Sequence, residues 1–278
     1  MDGAEMSEPS ESDQATKPLA LFGAELRERR ENAGITQERL AETTQFSRSL
    51  LGFIERGQRT PSRNFAQRCD DALDAGGELL HLWTQLTRAA SPRWFREWLD
   101  VEQEAHTLHT WQPLVVPGLL QTESYARAVI RGEPGITEEQ VDKAVEARME
   151  RQKIFSRLSP PMLWVVLDEG VLHRPIGGKD VLRHQLERLR EMAESPRIGI
   201  QIVPLALGMT TGTSGGFVIA QLPGGADTVY IESANHGQVT SRPEDVEAVR
   251  ARYDTIRAYA HPQHVSIALI REAEKLWT

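Results

Sequence analysis

Between Gly34 and Pro61 the chain is punctuated so closely that it has room for only two short helices and a tight turn. Gly34 suits a left-handed stop for a first helix over about residues 19–33. Thr36 can cap the next helix, with Gln37 and Glu38 placed at its positive end. Leu40 and Ala41 fall on its buried side, and the small Ala41 lets a following helix cross closely. Ser47 can cap that following helix, whose inner face is Leu50 or Leu51 with Ile54, and Gly57 ends it. Thr60-Pro61 then starts a further helix, with threonine as cap and proline in the first turn, where its missing N–H costs nothing.

The outward side of the second helix has a functional implication. Ser47, Arg48 and Ser49 lie at its N-terminus, the end that meets base edges when such a helix enters a DNA major groove. Arg48 can offer a bidentate fork to a guanine edge, and serines can bond several bases. Residues 44–68 hold Arg48, Arg56, Arg59, Arg63 and Arg68 against Glu55 alone, a local excess suited to phosphate contact. The same spacing also serves a solvated helical hairpin with no nucleic-acid role.

The ordered set Thr36-Gln37, Leu40-Ala41, Ser47, Ile54-Glu55-Arg56-Gly57 and Pro61 resembles the DNA-binding domain of phage-repressor-like, xenobiotic-response-element (XRE) type regulators. The resemblance implies that Gln37 clamps a phosphate and supports the recognition helix, while Ser47, Arg48, Ser49 and Phe53 face bases. With the charge pattern it makes Gln37, Arg56, Arg59 and Arg63 the expected phosphate contacts. The chain departs from the family pattern at the turn, where Gln45 replaces glycine and Thr44 an aliphatic residue. A positive φ at Gln45 would cost on the order of 1 kcal/mol. Gly52 weakens the second helix by roughly 1 kcal/mol, and permits close backbone approach. Phe53 either touches a thymine methyl or packs on a neighbouring helix.

With 278 residues, 40% of them hydrophobic, the chain is long enough for a small domain plus a larger one. Its one cysteine, Cys69, excludes an internal disulfide or a cysteine-based zinc cluster and reads as a small core residue. Nothing resembles a signal peptide or a membrane span, so a cytoplasmic location without a membrane partner is expected. The net charge of −8 fits a DNA binder only once it is divided along the chain. Residues 1–18 hold five acids and one base, residues 19–90 hold ten of each sign, and the remainder carries the rest of the negative charge. DNA-binding charge has to be positive only locally.

Three segments are expected, α+β overall: a disordered acidic tail at 1–17, an all-α five-helix domain carrying the helix-turn-helix at 18–90, and a larger mixed α/β domain with a small sheet at 91–278. Glu25-Leu26-Arg27-Glu28-Arg29-Arg30 gives the first helix a charged, solvated outer side. Phe65, Cys69 and Leu73 form a buried stripe stopped by Gly76-Gly77, and Leu79, Leu82, Trp83 and Leu86 line the next helix. After a junction at Ser91-Pro92, Trp94, Phe95, Trp98, Leu99 and Val101 make a helix too apolar to float free; it should dock on the C-terminal body or on a second subunit. Residues 108–120 read as an extended segment broken by prolines, followed by a short helix capped by Thr122. Thr137-Glu138-Glu139-Gln140 is a capping box opening a long helix to about residue 158. Residues 162–167 and 198–203 are apolar strands, with a helix over about 179–195 between them. Residues 217–222 and 229–232 read as strand, turn, strand, and 243–259 and 262–276 as two closing helices.

Three stretches of the second half are also familiar: Trp111-Gln112-Pro113-Leu114-Val115-Val116-Pro117-Gly118-Leu119-Leu120-Gln121-Thr122-Glu123-Ser124-Tyr125-Ala126-Arg127, Leu167-Asp168-Glu169 with Arg174-Pro175-Ile176-Gly177-Gly178, and Val229-Tyr230-Ile231-Glu232. Together they resemble the actinobacterial antitoxin-like, WhiJ-type helix-turn-helix regulators, over about residues 20–275. The resemblance implies a transcriptional regulator, often encoded beside a small toxin-like partner protein, and a C-terminal domain of unknown function with no known ligand.

Catalytic and metal chemistry finds little support. His106 and His109, and His261 and His264, have ligand-like spacing, but no cysteine joins them and Pro262 marks a loop-to-helix junction. Thr211-Gly212-Thr213-Ser214-Gly215-Gly216 lacks the lysine of a phosphate loop and reads as a flexible strand lead-in or a partner-binding lip. Asp168 and Glu169 diverge on a helical turn, so capping and an ion pair to Arg174 are expected in place of paired acid catalysis. The sequence therefore points to a binding protein without cofactor, metal or enzymatic activity. It is expected to act on double-stranded DNA as a homodimer on an inverted repeat, its C-terminal domain receiving a partner protein or ligand. The alternative is an antitoxin-like protein whose main task is to hold a small toxin-like partner, with DNA binding for autoregulation.

Overall fold

The computed structural model describes residues 11–89, 93–233 and 236–277, which leaves the expected junction at Ser91-Pro92 outside the described residues. The chain is α+β and divides into two compact units, Met1–Pro92 and Arg93–Thr278.

The first unit holds α1 (Glu11–Asn32), α2 (Gln37–Thr44), α3 (Arg48–Glu55), α4 (Arg63–Ala72) and α5 (Glu78–Ala89). Of the expected acidic tail, residues 1–10 lie outside the described residues. The remainder is drawn into α1, which begins at Glu11 and not near Leu19. Glu, Gln, Ala and Lys in that stretch are adequate helix formers, and they outweigh the lost N–H donor and the crowding of the preceding turn at Pro18. The helices close over Phe22, Leu26, Leu40, Leu51, Ile54, Phe65, Cys69, Leu79 and Trp83. Leu51, not Leu50, is the fully buried member of its pair.

Hydroxyl caps set the short helices. The Thr36 hydroxyl accepts from Arg39 N (3.1 Å) and that of Ser47 from Leu50 N (3.1 Å). The expected cap at Thr60 is displaced to Ser62, whose hydroxyl accepts from Phe65 N at 3.2 Å. Pro61 stays outside the helix because its carbonyl receives the Trp83 indole N–H at 3.0 Å. At the other end of α4, buried Asp70 accepts from Gly77 N (2.7 Å) and Leu79 N (2.9 Å), fixing the entry to α5.

Where α1 crosses the end of α3, there is no room for a side chain. A Cβ on Gly23 would lie 2.5 Å from Ile54 O and 2.8 Å from Glu55 O.

The second unit is a six-stranded mixed sheet with helices on both faces. It begins with α6 (Arg93–Glu104), β1 (Thr107–Gln112), α7 (Glu123–Ile130), α8 (Glu138–Arg151), β2 (Met162–Asp168), α9 (Lys179–Met192) and β3 (Ile198–Val203). It ends with β4 (Phe217–Gln221), β5 (Thr228–Ile231), β6 (Gln238–Thr240), α10 (Pro243–Tyr259) and α11 (Gln263–Lys275). The strand order is β3-β2-β1-β4-β5-β6, with β1, β2 and β3 mutually parallel and the remaining pairings antiparallel.

Alternation along the strands splits the core in two. Leu163, Val165, Leu167, Ile198, Ile200 and Ile202 face a cluster with Leu182, Leu186, Leu189 and Ile270. Trp111, Val166, Phe217, Ile219 and Val229 face Val249, Tyr253 and Ile256 of α10. Helix α6 docks on this same unit, with Trp98 buried and stacked on Tyr230 at 5.3 Å; the Trp94 side chain lies outside the described residues.

The segment after β1 is held by amides. Gln121 donates to Val116 O (2.6 Å), Gln152 to the carbonyls of Gly118 and Gln121 (2.8 Å each), and Gln185 to Leu120 O (2.9 Å) while accepting from Thr122 N (2.7 Å). Irregular backbone packed inside a domain needs such partners. The Thr137–Gln140 capping box forms as expected and opens α8.

Replacing Gly23 with alanine gains about 1 kcal/mol of helix propensity. The clash with two carbonyl oxygens outweighs it, for a net loss of about 1–3 kcal/mol. Urea denaturation followed by circular dichroism reads the change; an unchanged midpoint would show that α1 can shift away. Cys69 is buried, and burial pushes its thiol up to about 12. A thiol reagent at pH 8, where the thiolate fraction is on the order of one in ten thousand, should leave Cys69 unmodified until denaturant is added.

Candidate nucleic-acid interface

Helices α2 and α3 are joined by Gln45, Phe46 and Ser47, and the turn is built by packing from α4 as much as by its own residues. Gln45 takes the left-handed conformation (φ 59°, ψ 36°), the strain expected for a residue standing where glycine is usual. Arg68 of α4 donates to Thr44 O (3.0 Å) and Gln45 Oε1 (2.9 Å), and its guanidinium lies 5.8 Å over the Phe46 ring. Phe46 itself tilts against Phe65 at 5.1 Å. Buried Thr44 returns its hydroxyl to Leu40 O at 2.7 Å, which is how a polar residue takes an aliphatic position. Arg68 is therefore committed to holding the turn, and the positive excess of this surface rests on the other arginines.

The angle of α3 is fixed from beneath by Glu55. This carboxylate accepts from Arg30 Nε (2.6 Å), Arg30 Nη2 (3.1 Å) and Gln37 Nε2 (2.6 Å), joining α1, α2 and α3. Arg30 is only 8% exposed and also donates to Ile35 O at 3.1 Å. The solvated outer side expected for Arg30 is not found, because its partner sits 25 residues away on α3. Arg27–Glu31 and Arg29–Glu25 do form the surface pairs that i,i+4 spacing implies.

Ser47, Arg48, Ser49 and Phe53 all stand exposed on or beside α3. Ser47 caps the helix through its oxygen lone pair, which leaves the hydroxyl proton free to donate. Phe53 is 43% exposed, and the Arg56 guanidinium lies over its ring at 5.1 Å. Arg56 Nε also donates to Gln58 Oε1 at 3.0 Å. A Cβ at Gly52 would lie 3.2 Å from Arg56 Nη1, the end of an exposed side chain, and 3.7 Å from Gln37 Oε1, so a small shift of Arg56 would accommodate it.

Gln37 is half-buried at the start of α2, with one of its two amide N–H donors engaged by Glu55. Arg59 is exposed and Arg63 half-exposed on the path into α4. The structure thus gathers Ser47, Arg48, Ser49, Phe53 and Arg56 on α3 and its ends. Gln37 stands at the start of α2, Arg59 follows in the next connection, and Arg63 opens α4.

Elsewhere the motifs serve packing. Asp168 caps its turn by accepting from Gly170 N at 2.8 Å, while Glu169 accepts from Leu205 N at 2.8 Å; the expected ion pair to Arg174 does not form. In the glycine-rich run, Gly212 receives the Trp111 indole N–H at 2.9 Å and has no space for a Cβ, so this part is packed against β1. His109 contacts Gln221 Oε1 (3.3 Å) and Tyr253, and burial holds its imidazole below the usual range. Among the described residues no group of three or more His, Cys, Asp or Glu is arranged to hold a metal ion, and no helix is long and apolar enough to cross a membrane.

A family model described as a helix-turn-helix domain matches residues 21–83, and one described as a domain of unknown function (DUF5753) matches residues 95–272. No curated protein and no solved structure matches the chain significantly.

Removing Glu55 by Glu55→Ala leaves buried Arg30 with only the exposed Glu31, at 3.5 Å, as counter-charge and should destabilise the chain by about 3–5 kcal/mol. Arg48→Ala touches no internal partner and should stay within about 0.5 kcal/mol of the parent. Thermal denaturation of the two variants side by side separates the support of the surface from its exposed residues; equal losses would contradict the division.

Proposed function

The chain belongs to the DUF5753 family and joins that domain to a helix-turn-helix domain, and on this premise we propose that it is a sequence-specific, DNA-binding transcriptional regulator of the XRE type. The observation that carries the reading is the exposed front of α3, where Ser47, Arg48 and Ser49 surround a capped helix N-terminus whose orientation is fixed by Glu55. Arg48 reads a guanine edge, the two serines bond neighbouring bases, and Phe53 meets a thymine methyl. Gln37, Arg56, Arg59 and Arg63 hold the flanking phosphates, with the unpaired backbone N–H groups at the start of α2 adding to Gln37.

One short helix reads few base pairs, so the protein acts as a homodimer on an inverted repeat. It works in the cytoplasm as a binding protein and not as an enzyme, and the C-terminal domain receives a partner protein or a ligand. The resemblance of residues 111–127 and 229–232 to antitoxin-like regulators supports a second reading, in which capture of a small toxin-like protein is the main task. Co-purification with such a partner at natural expression levels favours the second reading; recovery of the chain alone favours the first.

Mapping genomic binding sites tests the proposal directly, and an inverted repeat is the expected result. On such a site Arg48→Ala should cost about 1–3 kcal/mol and relax preference at one base position. Arg59→Ala should weaken binding evenly across sequences and lower the slope of log affinity against log salt by about 1. An Arg48→Ala variant with an unaltered site preference removes Arg48 from the base-reading set.

A further inference from the structure

Helix α3 is held from outside at both of its ends. At its last turn Glu55 receives Arg30 and Gln37. Its front is held by α4, through the turn that leads into it. Phe65 and Arg68 stand three residues apart on α4, and both reach Phe46. The Phe65 ring lies 5.1 Å from the Phe46 ring, and the Arg68 guanidinium lies 5.8 Å over it. Arg68 Nη1 also donates to Thr44 O at 3.0 Å and to Gln45 Oε1 at 2.9 Å.

These contacts fall on the residues with the least local support. The Thr44 hydroxyl bonds back to Leu40 O, so it adds nothing to the turn. The Thr44 carbonyl is among the last four of α2, which have no acceptor role inside the helix. Gln45 stands at φ 59°, a region that disfavours any side chain. Only Phe46 and Ser47 separate it from Arg48.

Helix α3 has eight residues and is therefore about 12 Å long. If its front swings while Glu55 holds its last turn, Arg48 and Ser49 move furthest. Reading a base edge needs side chains held within about 0.5 Å of their working positions. Attraction to phosphates falls off more gently with distance. A loosened front therefore damages base reading before it damages phosphate contact.

We propose that Arg68 is a positioning residue for operator discrimination, which sets the front of α3 through Gln45 and Phe46 without touching a base or a phosphate. This inference rests on the reading of the chain as a sequence-specific DNA-binding protein and deepens it. The rival role is a phosphate contact. Both hydrogen bonds leave from Nη1, so Nε and Nη2 keep donors that a phosphate could take.

The test uses the full chain as parent, Arg68→Met, Gln45→Gly and the double variant. Affinity for a mapped operator and for an unrelated duplex is measured over a salt series, with the active fraction set by stoichiometric titration. Amide hydrogen exchange across residues 44–49 is followed without DNA. Arg68→Met should lose operator affinity by about five- to tenfold and keep affinity for the unrelated duplex within about twofold. Its salt slope should stay within about 0.3 of the parent, against the loss of about 1 for a phosphate contact. Exchange across the turn should rise. Adding Gln45→Gly should bring operator affinity back to within about twofold of the parent, because glycine takes the left-handed geometry unaided. A lost phosphate contact cannot be restored in that way.

The proposal is overturned if Arg68→Met keeps the parent's operator affinity or its exchange pattern, if both duplexes weaken together with a slope lower by about 1, or if Gln45→Gly restores nothing. A parent with an operator and an Arg68→Met variant that matches it sinks this proposal alone. A parent that prefers no duplex sinks the regulator reading, and this proposal with it.

Discussion

Glu55 accepts hydrogen bonds from Arg30 on α1 and Gln37 on α2 while sitting at the last turn of α3. A buried carboxylate is tolerated only when its oxygens are paired, and here the partners come from two other helices. The three helices cannot slide independently without leaving a charge unmatched. The nearby backbone contact through Gly23 removes the remaining freedom, since it lets α1 rest directly on the carbonyls at the end of α3. Specificity in this unit is therefore a matter of rigid placement. Arg48 and Ser49 can remain exposed because the placement of α3 does not depend on their contacts, while Ser47 spends one lone pair on capping the helix.

The C-terminal unit solves a different problem. A parallel β1–β2 pair needs a long crossover, and the chain runs part of that crossover as irregular backbone close to the core. Gln121, Gln152 and Gln185 satisfy its carbonyl and N–H groups from three directions. This explains why a run of prolines and leucines after β1 can be fixed without regular structure. The same segment draws α8 in, with Arg148 donating to Gln121 Oε1 at 2.7 Å.

What was legible in the sequence was whatever depends on near neighbours. The caps at Thr36, Ser47, Thr122 and Thr137, the strands at 162–167 and 198–203, and the bounds of α10 all follow from residues within a turn or two. The failures share a cause. Arg30 looks like one more surface arginine until its partner 25 residues away is known, and Ser62 replaces Thr60 as a cap because Trp83 claims the Pro61 carbonyl. Residues 108–120 read only as an extended segment, because the β2 and β4 partners that make 107–112 a central strand lie far along the chain. The strand β6 is three residues of polar and half-buried character, with no apolar alternation to announce it. The candidate surface was legible in its exposed members and illegible in its supports.

The turn at Gln45 shows how a tertiary hold can stand in for a local one. Glycine would adopt the left-handed geometry at no cost, whereas here the guanidinium of Arg68 ties down both the carbonyl before it and the side chain itself. Exchanging Arg68 would leave the left-handed cost at Gln45, on the order of 1 kcal/mol, without that external hold. A residue on α4 thereby becomes part of the mounting that aims α3.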